Sequence, residues 1–109
     1  MNAMTLREIC TTTGVSRRAV QGYEAIGLVK ATGKNIYGHL LYDENAKNRI
    51  KKIRLFQDMG FSLKEIKKII DAPAPILKEA LECKQQQLKK ELTDKQQLLH
   101  IITNMIQQL

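Results

Sequence analysis

The chain predicts a mostly helical fold in two parts, a winged helix-turn-helix domain over residues 5–72 and one long helix over 76–109. Three observations predict it. Two helix-capping sequences flank a glycine turn near the N-terminus, helical periodicity disappears between residues 28 and 42, and an apolar stripe of period 3.5 runs to the last residue.

Residues 1–4 read as a tag scar or disordered start lying outside the fold, although Met4 is also placed to staple against Ile9. In Thr5-Leu6-Arg7-Glu8, Thr5 is an N-cap and Glu8 the carboxylate that reaches back to it, so a helix begins at Leu6. Thr13-Gly14-Val15 interrupts that helix. Ser16 then caps a second one, from about Arg17 to Ala25, in which Ala19, Val20 and Tyr23 recur at helical spacing, and Gly27 suits a left-handed stop. Two short helices joined by a glycine-bearing turn describe a helix-turn-helix.

Leu28-Val29 and the segment Ile36 to Tyr42 read as two short strands around the turn Thr32-Gly33-Lys34-Asn35, the form of a wing. Asp43 caps a third helix whose Ala46, Ile50, Ile53 and Phe56 form one apolar stripe, ending at Gly60. Ser62 and Glu65 make a second capping box, stapled by Phe61 and Ile66, for a helix from about Leu63 to Asp71 that Pro73 and Pro75 close. Beyond it, Leu81, Gln85, Leu88, Leu92, Lys95, Leu99, Ile102, Ile106 and Leu109 alternate in steps of four and three. Seven of these nine positions are apolar, which identifies a coiled-coil seam, with Gln85 and Lys95 as its polar interruptions. About 50 Å of helix is longer than a small globule can cover, so the stripe needs a partner. No cap follows Leu109, so the chain is expected to be cut from a longer one.

There are 18 basic and 11 acidic residues in 109, a net charge of +7. The surplus is uneven, with 13 basic and 7 acidic residues up to Ala72 against 5 and 4 beyond it. Such a balance in the first part favours a polyanion. No apolar run is long enough for a membrane span, no secretory leader is evident, and two cysteines 73 positions apart form no disulfide framework, so a cytoplasmic protein without membrane contact is expected. There is no Gly-rich phosphate loop, no GxSxG, no HExxH and no Cys/His cluster with metal-ligand spacing. The expectation is therefore no catalytic residue, no metal and no cofactor.

Thr13-Gly14-Val15-Ser16-Arg17-Arg18-Ala19-Val20-Gln21-Gly22-Tyr23-Glu24-Ala25-Ile26-Gly27-Leu28, then Gly38-His39-Leu40-Leu41-Tyr42, then Met59-Gly60-Phe61-Ser62-Leu63-Lys64-Glu65-Ile66 together resemble the MerR family of bacterial transcription regulators. The resemblance covers nearly the whole chain. It implies a homodimer joined by an antiparallel coiled coil, binding a pseudo-palindromic double-stranded promoter at which RNA polymerase acts, with an inducer domain after the coiled coil. Two departures stand out: Gln21-Gly22 replaces the Arg-Tyr pair usual in the recognition helix, and Leu40 replaces an arginine common in the wing. Gly22 also weakens its helix by about 1 kcal/mol relative to alanine. Arg17, Lys30, Lys34 or His39 could make up for these losses.

The DNA-binding residues expected on this reading are Ser16, Arg17, Arg18, Gln21, Tyr23, Lys30, Lys34, His39 and Tyr42. Arg17 and Arg18 begin the recognition helix, from which side chains reach base edges, and Lys34 at the wing suits a phosphate. Tyr23 and Tyr42 are each open to two readings, a phosphate donor or a core residue. Lys47, Arg49, Lys51, Lys52 and Arg54 spread around the third helix and read as a solvated face more readily than as a patch. Cys10 reads as a small core residue, and Cys83 lacks the further thiols a metal sensor would need. Dimerisation is assigned to Leu81, Leu88, Leu92, Leu99, Ile102, Ile106 and Leu109. An alternative is an excisionase-like architectural or protein-binding module on the same winged fold.

Overall fold

The computed structural model describes residues 3–109. Met1 and Asn2, half of the stretch expected to be a tag scar or disordered start, lie outside the described residues. The elements run β1 (Met4–Thr5), α1 (Leu6–Thr13), α2 (Arg17–Ala25), β2 (Gly33–Lys34), β3 (Leu40–Tyr42), α3 (Glu44–Asp58), α4 (Leu63–Ile69) and α5 (Ala74–Gln107). They divide into two units, one up to Asp71 and one from Ala72.

Local chemistry sets the helix starts in the first unit. Thr5 accepts from the Glu8 N–H while its own N–H donates to Glu8 Oε1 at 3.0 Å, a complete capping box. The donated N–H holds the Glu8 carboxyl below its ordinary range. Ser16 accepts from the Ala19 N–H at 3.1 Å, Asp43 from the Ala46 N–H at 2.8 Å, and Ser62 and Glu65 form the second box. Gly14 and Gly27 take φ of 72° and 79° at the ends of α1 and α2.

The stripe Ala46, Ile50, Ile53 and Phe56 faces inward along α3 and packs with Ile9, Val20, Tyr23, Leu28, Tyr42 and Ile66, all but inaccessible to water. Each large apolar side chain buried in this way contributes about 1.5 to 3 kcal/mol, enough in sum to hold a unit of this size. Phe56 and Phe61 meet edge to face at 5.9 Å. Cys10 is only half-buried, not a full core residue as expected.

The β region differs from the sequence reading in three respects. Met4 lies inside the fold, since β1 pairs with β3 in the register Met4↔Tyr42, making three strands in the order β1-β3-β2. Leu28 and Val29 form no strand; they are buried, and the Leu28 carbonyl accepts from Arg49 Nε. The turn falls three residues later than expected, at Asn35 to Gly38, with Gly33 and Lys34 extended opposite Leu41 and Leu40. Asn35 decides this. Its Oδ1 accepts from the Tyr37 and His39 N–H groups at 2.9 and 3.0 Å, its carbonyl accepts from Gly38, and Gly38 takes the φ of 82° that such a loop requires and side chains resist.

Arg49 is a structural clamp that the sequence reading assigned to a solvated face. Besides Leu28 it grips Asp71 through two bonds of 2.8 Å, tying the end of α2 and the end of α4 to α3. The pairing raises the Arg49 pKa and holds the Asp71 carboxyl below its usual range.

The second unit is α5 itself, 34 residues with no buried side chain in a single chain. Pro75 falls in its first turn, where no amide is required of it, and Pro73 precedes that turn. Among the described residues no helix is long and apolar enough to cross a membrane.

Candidate nucleic-acid interface

Arg17 and Gln21 stand one turn apart on the exposed face of α2, and the first turn of α1 and the base of the wing lie beside them. Together Arg7, Arg17, Gln21, His39 and Leu40 line a concavity of about 460 Å³. Two guanidinium groups, an imidazole and a carboxamide converge there with no carboxylate on the wall. Such a set attracts phosphate and can donate to groove edges.

Three ion pairs join Glu44 with Lys47, Arg49 with Asp71 and Arg54 with Asp58. All three occupy cations of α3, whereas Arg7, Arg17, Arg18, Lys30 and Lys34 take part in none of them and are exposed. The cations of α1, α2 and the wing are therefore open to an external anion. Ion pairing withdraws three of the five basic residues of α3, and Lys51 and Lys52 are the two left exposed outside these pairs.

The other expected residues divide. Arg18 is exposed at the second position of α2, and Lys34 is exposed on β2 opposite Leu40. Lys30 lines a different concavity of about 320 Å³, with Thr32, Asp43 and Arg49. The Ser16 hydroxyl oxygen is engaged as the α2 cap. Arg7 was missed: in the sequence it is a lone cation in a capping box, and only the packing of α1 brings it beside α2 and the wing.

Tyr23 and Tyr42 are corrections. Both are essentially inaccessible, and both hydroxyls are used inside the fold, Tyr23 donating to Gln57 Oε1 at 2.5 Å and Tyr42 to Glu24 Oε1. The core reading of each replaces the phosphate reading. Burial first, and then the Glu24 hydrogen bond, push the Tyr42 phenol well above its ordinary value; burial also raises Tyr23. A phenol that holds its proton more tightly when folded supports the fold below about pH 10, its unfolded value, and that support is lost as pH rises further. Tyr42→Phe is expected to cost about 1 to 2 kcal/mol at neutral pH, by leaving a half-buried carboxyl without its donor. It should also flatten, though not abolish, the fall in stability above pH ~10 seen in urea titrations of the wild type.

A capped helix whose exposed face meets a β hairpin across a basic concavity defines a winged helix-turn-helix protein. Residues 4–73 match the MerR HTH family of regulatory proteins. Nodulation protein NolA of Bradyrhizobium diazoefficiens is 39% identical over 64 residues, 59% of this chain and 27% of that one. The crystal structure of MtaN, the N-terminus of the Bacillus subtilis multidrug transporter activator, superposes with a TM-score of 0.76 at 26% identity, covering 94% of this chain and 97% of that one. HiNmlR, a MerR family regulator lacking the sensor domain and bound to promoter DNA, shares the fold with a TM-score of 0.72 at 19% identity, over 90% of this chain and 79% of that one. The chain belongs to the MerR family of DNA-binding transcription regulators. The match spans about a quarter to a third of the length of the NolA proteins and of the Bacillus subtilis activator mta.

Proposed function

We propose that this chain is the DNA-binding and dimerisation part of a MerR-type regulator, binding a pseudo-palindromic promoter as a homodimer and controlling transcription by RNA polymerase there. The observation that carries the reading is the carboxylate-free concavity of Arg7, Arg17, Gln21 and His39, set among cations that no ion pair of the fold occupies. Arg18 and Gln21 are the base-reading residues on this view, and Arg7, Arg17, Lys34 and His39 hold phosphates.

Dimerisation is assigned to Leu81, Leu88, Leu92, Leu99, Ile102 and Ile106 on one face of α5, with Leu109 just beyond its end, in an antiparallel coiled coil. Leu88, Leu92, Leu99, Ile102 and Ile106 are 46 to 65% exposed in a single chain, an apolar stripe broken at Lys95, of the kind that marks a protein interface. An effector domain beyond the coiled coil is part of the proposal, consistent with relatives about twice as long as this chain.

Selection of bound sequences from random duplex DNA at about 0.15 M salt tests the reading, because charge alone retains DNA without enriching any sequence. Enrichment of an inverted repeat is expected, and its half-site spacing reports the separation of the two recognition helices. Retention without enrichment would favour the architectural module in its place.

A further inference from the structure

The most exposed apolar side chains of the first unit lie together at the tip of the wing: Ile36 is 91% and Tyr37 77% exposed. A hairpin that served only to place Lys34 and His39 would need neither. The loop holding them is well tied, with Asn35 N–H donating to the His39 carbonyl, Gly38 N–H to the Asn35 carbonyl, and the Asn35 side chain accepting from two further amides. Ile36 and Tyr37 are thus its two outermost positions, held out from the sheet by hydrogen bonds within the loop.

Charge identifies what these side chains meet. From Lys30 to Tyr42 the sequence contains two lysines and a histidine and no Asp or Glu, so the apolar tip is carried on a segment that attracts only anions. Geometry agrees. The base of the wing, at His39 and Leu40, shares its concavity with Arg17 and Gln21 of α2. The tip reaches two residues beyond the last strand pair, roughly 7 Å. A major groove is about 12 Å wide, so a tip set that far to one side of a helix centred in it passes the groove edge and the phosphate backbone.

We propose that Ile36 and Tyr37 form an apolar wedge that enters the minor groove of duplex DNA flanking the helix contacts and opens a base step. Side chains of this type, inserted between bases, unstack them and kink the duplex. The inference rests on the DNA-binding reading given above and adds a contact that the basic residues do not supply. Insertion replaces phosphate attraction at that point with burial of apolar surface, and so it releases no counterions.

The probe is a duplex enriched by the wild-type protein from random sequence, with 2-aminopurine placed at each adenine in turn. Wild-type protein is expected to raise the fluorescence of 2-aminopurine at one step outside each half-site. Ile36→Ser combined with Tyr37→Ser should abolish that rise and weaken binding about tenfold, with the slope of log affinity against log salt unchanged. Lys34→Ala should lower that slope by about one and keep the rise. Wild-type protein that binds the duplex without any rise, or a double variant that binds and unstacks as the wild type does, overturns the wedge and leaves sequence-selective binding standing. If the wild type enriches no sequence and binds no duplex, both readings fall.

Discussion

Leu99→Asp combined with Ile102→Asp is expected to turn a dimer into a monomer and to weaken binding to an inverted repeat by at least a hundredfold, with binding to an isolated half-site nearly unchanged. In the single chain α5 buries no side chain, and these two residues stand 63 and 53% exposed at neighbouring seam positions. Two carboxylates placed in each helix of an apolar two-stranded seam must be desolvated, and the one neighbouring seam cation, Lys95, can pair with only one of them, which leaves a cost of several kcal/mol that the flanking leucines cannot offset. The DNA effect follows from linkage. When two winged units are joined, the second half-site is bound at an effective concentration near the millimolar range, which multiplies affinity by about 10² to 10⁴ and vanishes on dissociation. Sedimentation at micromolar concentration reads the first effect and titration of one-site and two-site duplexes the second. Circular dichroism should also show partial loss of helix, since a 34-residue helix with no partner is held only by its own weak propensity. A variant that remained dimeric would remove Leu99 and Ile102 from the interface.

How much of this was legible in the sequence depends on how far apart the interacting residues are. Helix starts were readable because Thr5 with Glu8, Ser16 with Ala19, Asp43 with Ala46, and Ser62 with Glu65 each act over three residues. The apolar stripe of α3 was readable for the same reason, since one helix face is a local pattern. In the wing two glycines and one asparagine competed for the turn, and the choice was made by side-chain hydrogen bonds of Asn35 that no periodicity encodes. β1 has two residues, too few for any alternation, and is seen only once β3 is beside it. The burial of Tyr23 and Tyr42 depends on Gln57, 34 positions away, and Glu24, 18 away. Arg49 reaches Leu28 and Asp71 across 21 and 22 positions. Part of the candidate interface could be named because recognition-helix residues are exposed and consecutive, whereas Arg7 joined them only through the packing of α1 against α2 and the wing.

The division of labour within the interface predicts two different losses. Arg18→Ala should weaken binding to the selected duplex by about five- to 150-fold, the 1 to 3 kcal/mol that a bidentate guanidinium-to-guanine contact is worth, with little change on random DNA. Arg18 stands at the second residue of α2, is exposed, and takes part in none of the three ion pairs described above, so its removal breaks none of them. Arg7→Ala should lower affinity for selected and random duplexes alike and reduce the salt slope by about one, because the first helix of such a unit crosses the backbone and a lost phosphate contact is one counterion fewer released. Measuring both variants on both duplexes across a salt series separates the roles, since base readout changes the ratio of the two affinities and phosphate contact changes their common dependence on salt. Equal losses on selected and random DNA for Arg18→Ala would remove it from base readout, and an unchanged salt slope for Arg7→Ala would remove that residue from the backbone contacts. The Arg7 result bears on the concavity as a whole, because Arg7 is the one of its cations that lies on neither the recognition helix nor the wing.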